Sequence, residues 1–337
     1  MKTKVFLLFF IFLLALPLSC GKGRPSIYKK TKPFMDTLVT ITVVAGSDEQ
    51  ANRTIDKAFS VIEQFGDKIN FFSDKSELSA INRNAGATPV KVSPDTLGVI
   101  ERALYISEKS NGAFDPTIGP EMNMWDFFKK IRPSDTAIKK KLSLINYRDI
   151  IVDHDRSTVL LRRKGMLMDL GGIAKGYAAD LALANLKQNG IGAGIVAAAG
   201  DIRAFGLKPD GTLWNIGIKN PRQQSEADEL IAKASLTNKA ISTSGDYERY
   251  FIEDGRRYHH ILDPKTGYPA GRCRSVTVIS DSGIFADGFS TAVFVSGPEK
   301  GMELVREAGS DAVIIDKDGV IHTTPAVKGM VTFESGH

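Results

Sequence analysis

The chain has 337 residues, 42% of them hydrophobic and 25% charged, and carries a formal net charge of +5. That is an ordinary globular balance, long enough to bury a sizeable core as one large domain or two smaller ones. The modest positive charge does not point to nucleic acid. The sequence holds no basic patch with interleaved aromatics, no zinc-finger spacing and no RNP-like strand.

The first twenty residues, "MKTKVFLLFFIFLLALPLSC", place Lys2 and Lys4 before an unbroken apolar run over residues 5–16. That run is too short to span a bilayer and has the layout of a secretory signal. Its ending, Leu-Pro-Leu-Ser-Cys, resembles the lipobox of bacterial lipoproteins, in which Cys20 is lipidated and becomes the first mature residue. An ordinary signal peptide cleaved nearby is the alternative. Removal of residues 1–19 takes away Lys2 and Lys4 and lowers the net charge from +5 to +3. Residues 20–33, rich in Gly, Lys and Pro, are expected to form a flexible lipidated tether ahead of a domain over residues 34–337. The implied location is the periplasmic face of a membrane, the inner one in preference to the outer. With Cys20 lipidated, Cys273 has no intramolecular partner, so no disulfide framework is expected.

"TLVTITVVA" alternates and is β-branched, a strand over Thr37–Ala45. A helix follows with Ser47 as its N-cap and acids in its first turn. A second begins with Ser93 as cap and Pro94 at its first position, and stops before Gly112. "DIIVD" and "STVLLRR" read as strands paired around Ile151 and Leu160. "MLMDLGGIAKGYAADLALANLKQNG" runs from a strand end through a glycine turn into a helix. Strands and turns then succeed one another until helices over residues 284–295 and 298–308 and the hairpin "AVIIDKDGVIHTT". Strands in runs, separated by single helices, favour an α+β architecture in one large, bilobal domain.

Four stretches carry chemistry. In "ADGFSTAVFVSG", Asp287 and Thr291 are spaced i, i+4 and share a helix face, two oxygen donors on a helix that otherwise reads as core. A dipole-favoured acid for Asp287 and a hydroxyl bonded back to the i−4 carbonyl for Thr291 are the structural alternatives. In "DLGGIAKG" the glycines let a ligand approach the backbone, and the helix start behind them offers N–H groups to a phosphate. Lys175 adds a charge and Asp169 an acceptor. The spacing fits neither the dinucleotide fingerprint nor a Walker A loop, and a tight structural turn is the alternative. In "RYHHILDPKTGYPAG", His259 and His260 point to opposite faces of a strand, so only one faces a site. The one that does would be a general base with a pH profile rising near the histidine range, and a hydrogen-bonded structural histidine is the alternative for either. The loop over residues 110–120 carries Phe114 and Asp115, a ring and an acceptor suited to a heteroaromatic group.

Together "FMDTLVTI", "KSELSAINR", "GAFDPTIGP", "DLGGIAKGYAAD", "AAAGDIRAFG", "AISTSGDYERYF", "HILDPKTGYPA" and "ADGFSTAVFVSG" resemble, in order, the motifs of the ApbE family, the FAD:protein FMN transferases. The resemblance runs from Met35 to near the end of the chain. It implies a mixed α/β fold with FAD between two lobes. It also implies transfer of the FMN moiety of FAD to a threonine or serine hydroxyl of a partner protein, with release of AMP. By that resemblance Mg²⁺ is held by the carbonyl of Gly172, the carboxylate of Asp287 and the hydroxyl of Thr291. FAD contacts fall on Met35, Phe72, Ala113, Phe114, Asp115, Asp169, Lys175 and the backbone near Ile261. His260 is the proton acceptor, and the partner is expected among subunits of membrane redox complexes. Asp36 and Phe72 depart from the family, where many members have Gly and Tyr. The alternatives are a FAD pyrophosphatase of the same fold, which yields FMN and AMP, a flavin-binding lipoprotein without catalysis, and an unrelated exported Mg²⁺ phosphohydrolase. The second would not need Asp287, Thr291 and His260 together, and the third has no motif of its own here.

Overall fold

The computed structural model describes residues 24–222 and 229–334. The signal segment, Cys20 with its expected lipid, and the first residues of the expected tether lie outside the described residues. Among the described residues no helix is long and apolar enough to cross a membrane.

Thr37–Ala45 forms β2, with Val39, Ile41, Val43 and Ala45 buried on one face, as the period of two requires. Its partner, β1 (Ser26–Phe34), comes from the segment expected to be tether. The pairing is antiparallel and continuous, from Ser26 opposite Ala45 to Phe34 opposite Thr37. The folded domain therefore begins at Ser26 and not at residue 34. The composition misleads because β1 is an edge strand: Lys29 and Lys32 stay exposed, which guards an open edge against foreign strands, and Pro33 is tolerated there. Met35 and Asp36 link the two strands with φ of 51° and 57°, the left-handed pair of a type I′ hairpin. Asp36 thus stands where glycine would fit without strain, and aspartate is among the few side chains that tolerate the position.

The remaining strands in chain order are β3 (Val90–Lys91), β4 (Ile150–Asp153), β5 (Thr158–Leu161), β6 (Gly194–Ala198), β7 (Asp201–Phe205), β8 (Trp214–Lys219), β9 (Leu230–Leu236), β10 (Ala240–Gly245), β11 (Tyr250–Glu253), β12 (Arg256–His259), β13 (Cys273–Ser280), β14 (Asp311–Asp316), β15 (Ile321–Thr323) and β16 (Val331–Phe333). The helices are α1 (Asp48–Ile69), α2 (Glu77–Arg83), α3 (Pro94–Lys109), α4 (Gly119–Met122), α5 (Asp135–Leu142), α6 (Ala174–Gln188), α7 (Gly283–Ser296) and α8 (Pro298–Glu307). One large sheet runs β1-β2-β6-β7-β10-β13-β14-β15, and every neighbouring pair in it is antiparallel. This is the α+β architecture expected from runs of strands separated by single helices.

The sheet is covered on both faces. Helices α1, α6 and α7 pack on one, where Ile55, Phe59, Ala178, Ala182, Phe289 and Val293 join the main core with Val39, Val196 and Val278. On the other face Ile241, Ile279 and Val313 meet the small sheet β16-β9-β8 through Ile218, Ala232 and Val331. A third cluster, Trp125, Ile138, Phe251, Tyr258 and Leu262, supports the β11–β12 hairpin. Ser47 caps α1 by accepting the Gln50 amide at 3.2 Å. Ser93 sits at the N-cap of α3 but makes no capping bond; its amide and hydroxyl both go to Glu77 of α2, at 2.9 and 3.0 Å. Cys273 is a buried free thiol, and burial pushes its pKa up to about 12.

Candidate functional site

Helix α7 is buried almost all round, and its polar residues Asp287, Ser290 and Thr291 interrupt an apolar surface. Asp287 and Thr291 share a face, as their spacing predicts, but neither follows its structural alternative. The hydroxyl that bonds back within the helix belongs to Ser290, to the Asp287 carbonyl at 2.8 Å. Thr291 Oγ1 instead lies 3.3 Å from Ser244 Oγ of β10. It also faces Gly172, where an added Cβ would approach it to 3.4 Å. Asp287 does not serve its own helix dipole. Its Oδ2 accepts the Gly176 amide of α6 at 2.9 Å, and the Lys175 amide also bonds to this carboxylate.

That arrangement corrects one expectation. The first-turn amides of α6 were expected to be open to a phosphate, but Asp287 occupies those of Lys175 and Gly176. The helix start does hold an anion, supplied by the chain itself. Burial, and then the nearby Asp201 charge, push the Asp287 carboxyl up to about 7, against the pull of Lys175.

Lys175 extends from α6 to Asp201, with Nζ 2.5 Å from its carboxylate and 3.9 Å from that of Asp287. Burial works against the ammonium, yet the two carboxylates outweigh it and hold Lys175 above the ordinary lysine range. Asp201 also accepts the Ser242 hydroxyl, and Ser242, Ser244 and Ser290 form a chain of hydroxyls leading to Thr291.

The glycine turn and the loop over residues 110–120 meet. Asp169 donates its amide to the Pro116 carbonyl at 2.7 Å, and Phe114 lies under Gly172, where a Cβ would come 3.2 Å from its ring. Asp169 Oδ1 accepts the Gly171 amide at 2.7 Å; burial raises its pKa, and Arg249 pulls the other way. Asp115 is buried with both oxygens engaged: Oδ1 by the amide and hydroxyl of Thr117, Oδ2 by the Tyr147 amide. It organises the loop, which differs from the free acceptor expected of it. Ala113 is buried beside it.

The two histidines separate as strand alternation requires. His259 Nε2 sits 2.8 Å from the Ala270 carbonyl, its ring edge-on to Phe294, and burial lowers its pKa to about 4. His260 follows the strand end and donates its amide to Arg249 at 3.1 Å. Its Nδ1 is buried and has no hydrogen-bond partner. Burial, and then the charges of Arg249, His259 and Lys175, push its pKa down to about 3. A rising limb in the ordinary histidine range is therefore not expected from this residue; the limb moves well below it. The amide of Ile261 is taken by His259 Nδ1 and its carbonyl by the Ala270 amide.

The structure thus gathers Gly172, Asp287, Thr291, Lys175, Phe114, Asp169 and His260. It leaves Phe72 in solvent at 82% exposure, its ring edge-on to Phe71, and sets Met35 half-buried against Gly66 of α1. Sequence reasoning missed Asp201 and Arg249, whose charge acts on Asp169, Lys175 and His260 alike. Both lie in motifs quoted above, but a single acid or arginine in a strand-and-turn segment reads by default as a solvated charge.

The model of the ApbE family matches residues 35–314. Among curated proteins, the FAD:protein FMN transferase of Treponema pallidum is 33% identical over 328 residues, covering 92% of this chain and 90% of that protein. Its counterpart in Klebsiella pneumoniae is 31% identical over 316 residues, covering 92% and 96%. The solved ApbE protein of Thermotoga maritima superposes with a TM-score of 0.82 at 35% identity, covering 90% of this chain and 98% of that one. The Pseudomonas stutzeri flavinyl transferase ApbE in its apo form gives 0.79 at 30% identity, covering 93% and 98%.

Proposed function

This chain belongs to the ApbE family, and from that premise we propose that it moves the FMN moiety of FAD onto a threonine or serine hydroxyl of a partner protein. The acceptor oxygen forms a bond to the FMN phosphorus, the pyrophosphate bond breaks, and AMP leaves. The observation that carries this reading is that Thr291 faces Gly172 while Asp287, one turn earlier on the same helix face, lies 3.9 Å from Lys175 Nζ, whose charge also reaches His260.

The donors present fit Mg²⁺. One carboxylate, one hydroxyl and one carbonyl are hard oxygen ligands, and such an ion takes its remaining positions from water and substrate phosphate. Among the described residues no group of three His, Cys, Asp or Glu side chains forms a competing metal site. Gly172, Asp287 and Thr291 would hold the ion, which when bound offsets charge on the pyrophosphate and the departing AMP. The residues of the chain do the rest. Lys175 and Arg249 set two cations where the phosphates are held. His260, uncharged at neutral pH, accepts the hydroxyl proton, a step typically worth about 10² to 10⁴ in rate. Phe114 walls the glycine turn and limits water. Residues Met35, Phe72 and Asp169 remain the proposed flavin-side contacts.

The same reading makes the protein a periplasmic lipoprotein held by Cys20, with an acceptor among membrane redox subunits. The apolar run and the Leu-Pro-Leu-Ser-Cys ending support it. With β1 starting at Ser26, six residues beyond Cys20, the link would hold the start of the domain within about 20 Å of the anchor. Cys20→Ala should release the protein from the membrane fraction, and retention with normal processing would refute the anchor. Chromatography of adenine nucleotides tests the activity itself: AMP should appear from FAD and Mg²⁺ in proportion to added acceptor protein. AMP release independent of acceptor would favour hydrolysis instead.

A further inference from the structure

The start of α7 needs partners for its first amides, and its own N-cap gives none. Ser282 makes no side-chain capping bond, and its hydroxyl is buried without a partner. The cap comes from another helix. Asp180 of α6 accepts the Gly283 amide on Oδ1 at 2.8 Å and the Ile284 amide on Oδ2 at 3.0 Å. Arg203 of β7 completes it, with Nε 3.0 Å from Asp180 Oδ1. The relation is reciprocal, because Asp287 of α7 caps α6 through Gly176 at 2.9 Å.

Between these two caps the helices touch backbone to backbone. A Cβ on Gly176 would come 2.1 Å from the Gly283 carbonyl oxygen, and one on Gly283 would come 2.3 Å from that of Gly176. No side chain fits there, so the crossing has no slack in that direction. Asp287 lies one turn beyond the capped amides, and Thr291 one turn further.

We infer that Asp180 is a positioning residue for the cation site: with Arg203 it locks α7 onto α6, so that Asp287 and Thr291 face Gly172. This rests on the proposed Mg²⁺ reading and deepens it. Asp180 touches neither the ion nor the substrate; it acts through the helix that carries two of the three ligands.

The experiment compares the full-length wild type with Asp180→Ala and Asp180→Asn. Mg²⁺ and FAD affinities come from calorimetry, and amide exchange is followed at Gly176, Gly283 and Ile284. Asp180→Ala should weaken Mg²⁺ at least 10-fold and leave FAD affinity in the absence of Mg²⁺ unchanged. Asp180→Asn keeps an acceptor oxygen and should fall between, which keeps the test open if the alanine variant folds poorly. The decisive amide is Gly176, on the other helix: it should lose protection when Asp180 is removed, because Asp287 shifts. A variant with fast exchange at Gly283 and Ile284, but wild-type Mg²⁺ affinity and a protected Gly176, would show a purely local cap and overturn the inference. Wild-type protein that binds no Mg²⁺ would overturn the metal reading instead, and Gly176 exchange would still decide whether Asp180 positions Asp287.

Discussion

The Lys175 ammonium and the Asp201 carboxylate meet at 2.5 Å inside the protein, and Asp287 waits 3.9 Å from the same nitrogen. One cation therefore serves two buried carboxylates, and Asp201 decides where it stands. Asp201→Ala leaves Lys175 without its nearest partner. Breaking a buried pair by removing one member typically costs about 3 to 5 kcal/mol. The Lys175 side chain retains 26% exposure, so the lower end of that range, about 3 kcal/mol, is expected in urea or guanidinium unfolding. A loss below about 1 kcal/mol, the scale of a surface pair, would contradict the anchoring role.

Asp287→Ala should abolish Mg²⁺-dependent turnover while FAD binding weakens less, because most of the proposed flavin contacts lie elsewhere. It also strips the Gly176 and Lys175 amides of their acceptor, so a stability loss of about 1 to 3 kcal/mol should accompany it. Thr291→Val should be milder, since water can replace one neutral ligand. Calorimetry that finds unchanged Mg²⁺ affinity in Asp287→Ala removes it from the metal site.

His260 offers a pH test with a defined sign. Its folded pKa is pushed down to about 3, and that of His259 to about 4. The unfolded chain thus binds more protons below the ordinary histidine range. Each histidine's contribution is fully present above pH 6.5 and is lost as the pH falls toward the folded value, by about 1.4 kcal/mol per pH unit. Unfolding of His260→Gln at pH 7 and pH 5 should show one histidine's share of that decline removed. The titration of His260 should impose no loss of transfer rate between pH 7 and pH 5, so a falling limb there belongs to Asp287, whose carboxyl is pushed up to about 7. His260→Ala should be slower by about 10² or more and His259→Ala much less so. Equal, near-wild-type rates in both would mean that neither histidine is the base.

Glu121 has the opposite sign. It is fully buried on α4, neither carboxylate oxygen has a partner, and burial raises its pKa to about 7 despite Lys141. Its contribution is complete below the unfolded value near 4.5 and is lost as the pH rises through 7. Glu121→Gln should therefore be more stable than wild type at pH 8, with the difference shrinking toward pH 5. A constant difference across that range would show that the carboxyl does not titrate there.

Local pattern made much of this protein legible before its structure. The period of two over Thr37–Ala45, the Ser47 cap, the Ile151–Leu160 register and the shared face of Asp287 and Thr291 each depend on neighbours in sequence. One failure lies within a hairpin, and the others are long-range. Residues 26–33 look like tether because lysine and proline suit an edge strand as well as a linker, and only pairing with β2 distinguishes them. Asp287 stands out in the sequence as a candidate ligand but not as the cap of α6, a contact across 111 residues. Asp201, Arg249 and Asp180 carry no local signal at all. Each gains its meaning from a partner that the fold delivers, Asp201 from Lys175 and Asp180 from the Gly283 amide.

The central claim is that this site forms a covalent bond between FMN and a hydroxyl of another protein. Intact mass spectrometry of a candidate acceptor, incubated with the protein, FAD and Mg²⁺, tests it most directly. The account predicts that the acceptor gains one FMN phosphoester, localised by fragmentation to a threonine or serine, with equimolar AMP. It also predicts no gain with Asp287→Ala or in the presence of a chelator. An acceptor of unchanged mass while FAD is consumed to FMN and AMP would contradict transfer and identify a pyrophosphatase.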